Sequence, residues 1–190
     1  MMRIITGSAR GIKLETLGGV ATRPTAERVK EAVFSMLQFS LEGRRVLDLF
    51  AGSGQLGLEA VSRGAEKAVL VDAARDAIGV ITKNATRTKL AAKTEILQRD
   101  AIAYLSSGAV NPFHLVFLDP PYAAGLVPQC LSLLIARGWL TAGALIVAET
   151  KDEADVFDGK EELFAHFEIL KKSRYGAAHI TILAKREIDI

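Results

Sequence analysis

Short apolar runs alternate with helical stretches along most of this chain, and their order predicts its architecture. From residue 45 onward the runs RVLDLF, KAVLVD, TEILQRD, FHLVFLD and ALIVAE are rich in Val, Ile and Leu and bounded by charges. Runs of that kind read as strands buried on both faces, and strands separated by helices make β-α-β units with a mainly parallel sheet. FEILKKSRYG and AHITILAK follow, with only a turn near Gly176 between them. That gap is too short for a crossover helix, so these two strands should pair antiparallel. Ahead of the body, RIIT (3–6) and IKLET (12–16) flank GSARG, the pattern of a hairpin. After the loop LGGVATRPT, Val29, Ala32, Val33, Met36 and Leu37 recur at helical spacing. Thr25, after Pro24, is the expected N-cap of that helix. The expected fold is α/β: a doubly wound, mainly parallel seven-stranded sheet with an antiparallel C-terminal edge and a small N-terminal β-hairpin. The hairpin and its loop, 1–24, form an appendage to a main domain over 25–190.

Composition narrows the class. A chain of 190 residues with 49% hydrophobic content can build one sizeable core. No apolar stretch is long enough to span a bilayer, and the start, MMRIITGSARG, lacks the apolar stretch of a secretion signal. One cysteine, Cys130, cannot form an internal disulfide, so the cytoplasm is the expected compartment. Cys130 falls in a predicted helix and reads as a small core residue, and Trp139 should pack at that helix's end. His114, His166 and His179 are scattered, and no metal is expected. Net charge is only +2, yet residues 1–45 carry eight Lys or Arg against four Glu. A basic leading segment ahead of a near-neutral body suits a surface that meets polyanions.

Gly52, Gly54 and Gly57 stand as G-x-G-x-x-G where the first body strand gives way to a helix, a pattern shared by several adenosine-cofactor sites. Four of the nine aspartates, Asp48, Asp72, Asp100 and Asp119, fall at the ends of the first four body strands. In open α/β sheets that is the ligand face. Asp48 helps choose among cofactors, because a carboxylate four residues before the first glycine opposes a dinucleotide's pyrophosphate. It suits S-adenosylmethionine, whose sulfonium and ammonium are cationic. Asp72 is placed to accept from ribose hydroxyls and Asp100 from an adenine amino group, and Phe50, within the same turn, joins the cofactor-binding set.

LDPPY (118–122) then suggests the acceptor. Two prolines stiffen the backbone beyond a buried strand, so Asp119 and the Pro120 carbonyl would form a fixed pair of acceptors, with Tyr122 as an aromatic plate. An exocyclic amine on a flat base needs such a pair, since its lone pair is conjugated with the ring. Stacking on Tyr122 would hold a base taken out of its helix. Strand order in a doubly wound sheet would set this loop facing the glycine turn. An amine on adenine, cytosine or a glutamine side chain fits the same geometry. A non-catalytic RNA-binding assembly factor that kept the fold, and a nicotinamide-dependent oxidoreductase, are the competing classes.

These residues resemble a known family. MRIITGSARGIKL, RPTAERVKEAVFSML, VLDLFAGSGQLGLEAVSRGA, FLDPPY and RGWL together cover most of the chain and are similar to RsmD, the bacterial small-subunit rRNA guanine-N2 methyltransferases of the Rossmann-like, S-adenosylmethionine-dependent class I. The resemblance implies methyl transfer to the N2 amine of one guanine of 16S rRNA, within a 30S particle or assembly intermediate, by a monomer. It places Asp48, Phe50, Gly52, Gly54, Asp72 and Asp100 at the cofactor and Asp119, Pro120, Pro121 and Tyr122 in the catalytic motif. Residues 1–24 become an RNA-contacting appendage, with Arg10, Lys13, Arg23 and Arg28 as candidates for phosphate contacts. The chain departs from the family at Ala9, where an aromatic is common, at Asp72, where Glu is usual, and at His114, where Asp is common. His114 reads as structural, being at the far end of its strand from the chemistry.

Overall fold

The computed structural model describes residues 2–18, 24–37, 41–109, 111–121, 125–152 and 156–187, without the side chains of 24–26 and 28. Seven strands form a mainly parallel sheet with an antiparallel edge. The chain packs into two compact units, Met1–Arg99 and Asp100–Ile190.

In the first unit, β1 (Arg45–Asp48), β2 (Lys67–Asp72) and β3 (Thr94–Gln98) run parallel in the order β3-β2-β1. The interior of β2, Ala68–Val71, is buried throughout, as a strand covered on both faces requires. β1 ends at Asp48, two residues short of the apolar run that announced it, because Leu49 and Phe50 already turn into the glycine loop. Helices α1 (Pro24–Leu37), α2 (Gln55–Ser62) and α3 (Arg75–Arg87) belong to this unit. α1 starts at Pro24, so Thr25 is a residue of its first turn and not at the N-cap position. Proline suits that first position, since its missing N–H would have no partner there.

The buried stripe of α1 also differs from the expected one. Val29, Lys30, Val33, Phe34 and Leu37 are buried, while Ala32 and Met36 are only half-buried. Apolar spacing alone could not assign Lys30 to the inner face. It is there because Glu59 of α2, fully buried, stands 3.4 Å from its ammonium.

The N-terminal hairpin has one ladder pair, Arg3 with Lys13, in place of two full strands. Further backbone bonds close it internally, such as Ile4 N–H to Ile12 O and Gly11 N–H to Ile4 O, and α2 takes up several of the rest. Glu59 accepts from Ile5 N–H at 2.8 Å and Thr6 N–H at 3.0 Å. Ser62 Oγ donates to Thr6 O and accepts from Ala9 N–H. Gly7 permits this approach, since a Cβ there would come within 1.8 Å of Ser62 O.

In the second unit, β4 (Phe113–Leu118) pairs parallel with β5 (Leu140–Thr150). β5 pairs antiparallel with β7 (Ala178–Lys185), which pairs antiparallel with the edge strand β6 (Phe167–Tyr175). α4 (Ala101–Ser106), α5 (Leu126–Ala136) and the short α6 (Leu163–His166) complete it. Trp139 packs just beyond α5 against Tyr104 and Phe113, its indole N–H donating to Leu105 O at 2.8 Å. Cys130 is buried in α5, and burial pushes its thiol up to about 12, far from the thiolate a nucleophile needs. No helix among the described residues is long and apolar enough to cross a membrane.

Candidate active site

The glycine loop of the first unit lies at the ends of two neighbouring parallel strands, β1 and β2. β1 delivers Asp48, the chain turns through 49–54, and α2 begins at Gln55. Gly52 and Gly54 hold φ of +55° and +78°, backbone that side chains rarely adopt, and the space above the Gly52 Cα is open. Backbone bonds fix the turn: Gly54 N–H donates to Ala51 O at 2.7 Å and Ala51 N–H to Val71 O of β2 at 3.0 Å.

Two carboxylates frame the loop. Asp48 is buried; its Oδ2 accepts from Gly57 N–H at 3.1 Å, and its Oδ1 has no hydrogen-bond partner among the described residues. Burial raises its acid to about 7; the Gly57 and Phe50 N–H groups pull the other way, and the charge of Asp72 adds to the rise. Asp72, half-buried at the end of β2, accepts from Gly52 N–H and Ala74 N–H, each at 2.8 Å. It therefore shapes both its own turn and the glycine loop, leaving one lone pair on each oxygen for a ligand. An orphaned buried carboxylate oxygen beside an open glycine turn fits a cationic ligand and disfavours a pyrophosphate, whose charge would have to be compensated by groups absent from this loop.

Asp100, Asp119, Pro120 and Pro121 belong to the second unit. Asp100 caps α4, its Oδ1 accepting from Ala103 N–H at 2.9 Å. Asp119 follows β4 directly and is half-buried; Pro120 is buried and Pro121 exposed. The turn is thus not sealed within its unit. Tyr122 and Arg23 lie outside the described residues. Arg10 and Lys13 are exposed on the hairpin, and Arg28 lies on α1. His114 is the second residue of β4, at the end away from Asp119.

Two residues that pattern-reading missed organise the loop's surroundings. Asn84 of α3, fully buried, donates to Ser53 O at 2.9 Å and pairs with both the N–H and the C=O of Glu15. Glu59 collects Lys30, Arg63 and the two hairpin amides. The signal was available. Asn84 shares the buried stripe of α3 with Ala77, Ile81 and Ala85, and Glu59 interrupts the apolar run of α2, so each is a polar residue on an inner face.

Comparison with known proteins completes the picture. Residues 2–184 match the profile of a family described as "Conserved hypothetical protein 95". The Escherichia coli protein "Ribosomal RNA small subunit methyltransferase D" is 38% identical over 80% of this chain and 76% of its own length. The chain belongs to the RsmD family. This RsmD-family chain is also 36% identical to the Bacillus subtilis protein named "Putative rRNA methyltransferase YlbH", across 97% of this chain and all of that one. Among solved structures, one titled "Putative methyltransferase yhhF from Escherichia coli" superposes with a TM-score of 0.85 at 33% identity, covering 98% of this chain and 99% of that one.

Proposed function

We propose that the protein transfers a methyl group from S-adenosylmethionine to the exocyclic N2 amine of a specific guanine in 16S rRNA. The observation that carries this reading is the glycine loop framed by Asp48 and Asp72, a site whose charge calls for a cation where dinucleotide sites receive phosphate. Membership of the RsmD family supports the rRNA substrate, since several relatives are named ribosomal RNA small subunit methyltransferases.

S-adenosylmethionine supplies the methyl group when bound. Asp48 would balance its positive charge, Gly52, open above its Cα, would leave room for its amino-acid portion while Gly54 keeps the turn tight against Leu70 and Ile81, Asp72 would offer its remaining lone pairs to the ribose, and Phe50 and Asp100 would complete the adenosine contacts. On the acceptor side Asp119 and the Pro120 carbonyl take the two N–H bonds of the guanine amine, while Pro121 stiffens the turn and Tyr122 stacks on the base. Accepting both hydrogens localises the nitrogen lone pair and fixes its direction, and the rate comes mainly from that alignment. The amine proton leaves to water after transfer, so no general base is required. Residues 1–24 form the RNA-contacting appendage of a methyltransferase domain over 25–190, with Arg10, Lys13, Arg23 and Arg28 meeting phosphates. The enzyme works as a cytoplasmic monomer on a 30S particle or assembly intermediate.

Methyl transfer to naked 16S rRNA, to 30S particles and to DNA, followed by nucleoside analysis, tests the reading; N2-methylguanosine from an RNA substrate is expected, and a methylated adenine or cytosine would overturn it. Asp119→Ala should bind S-adenosylhomocysteine almost as the parent does while losing at least about a hundredfold in turnover, the scale of losing a fixed polar contact to the reacting group. Unchanged turnover would show that the amine is held elsewhere.

A further inference from the structure

Asn84 joins the N-terminal segment to the glycine loop through a single buried amide. Its Oδ1 accepts from Glu15 N–H at 2.8 Å and its Nδ2 donates to Glu15 O at 2.9 Å, so the side chain serves residue 15 as a strand partner would. The second Nδ2 hydrogen goes to Ser53 O, also at 2.9 Å. Ser53 stands between Gly52 and Gly54, the two left-handed positions of the loop. Asn84 itself is fully buried, so its amide has no water to replace a partner it loses. The same arm of the hairpin is held to α3 at its surface, where Arg87 and Lys83 flank the Glu15 carboxylate.

An amide with both hydrogens committed cannot release one partner without leaving a buried polar group unpaired. Moving the hairpin arm therefore strands the Asn84 amide and loosens its hold on Ser53 O. Conversely, a ligand that orders the glycine loop favours the seated arm. We propose that Asn84 is a positioning residue that couples the seat of the N-terminal segment to cofactor affinity, so that an RNA engaging the segment and a cofactor engaging the loop each tighten the other's binding. The coupling rests on the cofactor and RNA assignments made above. Linkage requires it to be reciprocal.

The test uses the full chain and S-adenosylhomocysteine, titrated calorimetrically with and without a saturating 16S rRNA transcript, together with hydrogen exchange of the ligand-free protein. For the parent, RNA should tighten S-adenosylhomocysteine binding at least about fivefold, the lower end of ordinary coupling. Asn84→Ala should weaken binding, remove the effect of RNA, and speed exchange at Glu15 and across 51–54 together. Thr88→Val is the control. Thr88 is buried at the C-cap of the same helix, and among the described residues its hydroxyl bonds to α3 carbonyls and to no group of the arm or the loop; the variant should lower stability while keeping both affinity and RNA effect. Equal losses in Asn84→Ala and Thr88→Val, or an unchanged affinity in Asn84→Ala, would overturn the coupling. Failure of the parent to bind S-adenosylhomocysteine at all would instead overturn the functional reading on which it rests.

Discussion

Asp48 sits in an environment far from the water in which a carboxyl group ordinarily ionises. Burial favours its neutral form, so the folded protein holds a proton that the unfolded chain releases above about pH 4, and keeps it up to about 7. The stability contributed by the neutral acid is therefore present below that window and lost as pH rises through it. A cationic ligand reverses the preference, because it binds the anion. S-adenosylmethionine should accordingly bind about tenfold more weakly near pH 6 than near pH 8, and Asp48→Asn should bind weakly with a flat profile across the same range. Calorimetric titration at each pH decides it, and a parent-like slope in the variant would assign the proton elsewhere. The placement of Asp48 and Asp72 at strand ends beside the glycine turn was legible in the sequence, because the apolar runs that precede them fix where β1 and β2 stop. Asn84 and Glu59 were harder to read, since their roles depend on the N-terminal segment returning from 69 and 54 residues away to meet them.

The elements themselves followed the hydrophobic pattern closely, and the departures lie where polar partners override it. The strands from Arg45 to Lys185 overlap the apolar runs, most closely in β2 and β4, whose interiors are largely buried as a β-α-β body requires, while β1 ends two residues before its run does and β5 begins four residues ahead of its own. In α1 the apolar spacing finds Val29, Val33 and Leu37 on the inner face but not Lys30, which is buried against Glu59, a residue of another helix. Burial lowers the affinity of Lys30 for its proton, and Glu59 opposes that loss. Arg63, over the Phe34 ring at 4.8 Å, is the second cation on the same carboxylate. Glu59→Gln would keep the shape but leave two cations facing a neutral amide, at a cost of about 3–5 kcal/mol, the usual penalty for breaking a buried ion pair from one side. Urea unfolding should show that loss, and limited proteolysis should cut first within residues 2–18. A loss below about 1 kcal/mol would mean that the cluster is paired well enough without its carboxylate. In α5, Cys130 should resist a thiol reagent in native buffer and react fully in denaturant, since its thiol is both buried and held protonated.

For the whole molecule the question is where a net charge of only +2 can act. Lys and Arg exceed Glu by four over residues 1–45, so the rest of the chain is slightly acidic and offers a polyanion little long-range attraction. Phosphate affinity should then reside in the leading segment, on the exposed Arg10 and Lys13 among others. Each cation that neutralises a phosphate releases a counterion, and the logarithm of the binding constant falls with the logarithm of salt by about 0.7 to 0.9 per contact. Replacing Arg10 and Lys13 together by Gln should reduce that slope by about 1.5 for a 16S rRNA transcript, and weaken binding evenly across unrelated RNA sequences. Among the described residues neither side chain carries a hydrogen bond that holds the hairpin: Lys13 is held through its backbone, as ladder partner of Arg3 and as acceptor for Arg87, and Arg10 through its N–H to Gly7 O. The double variant should for that reason unfold at the parent's temperature. An unchanged slope would move the phosphate contacts off the hairpin and, with them, the reason for Asn84 to hold the hairpin in register with the glycine loop.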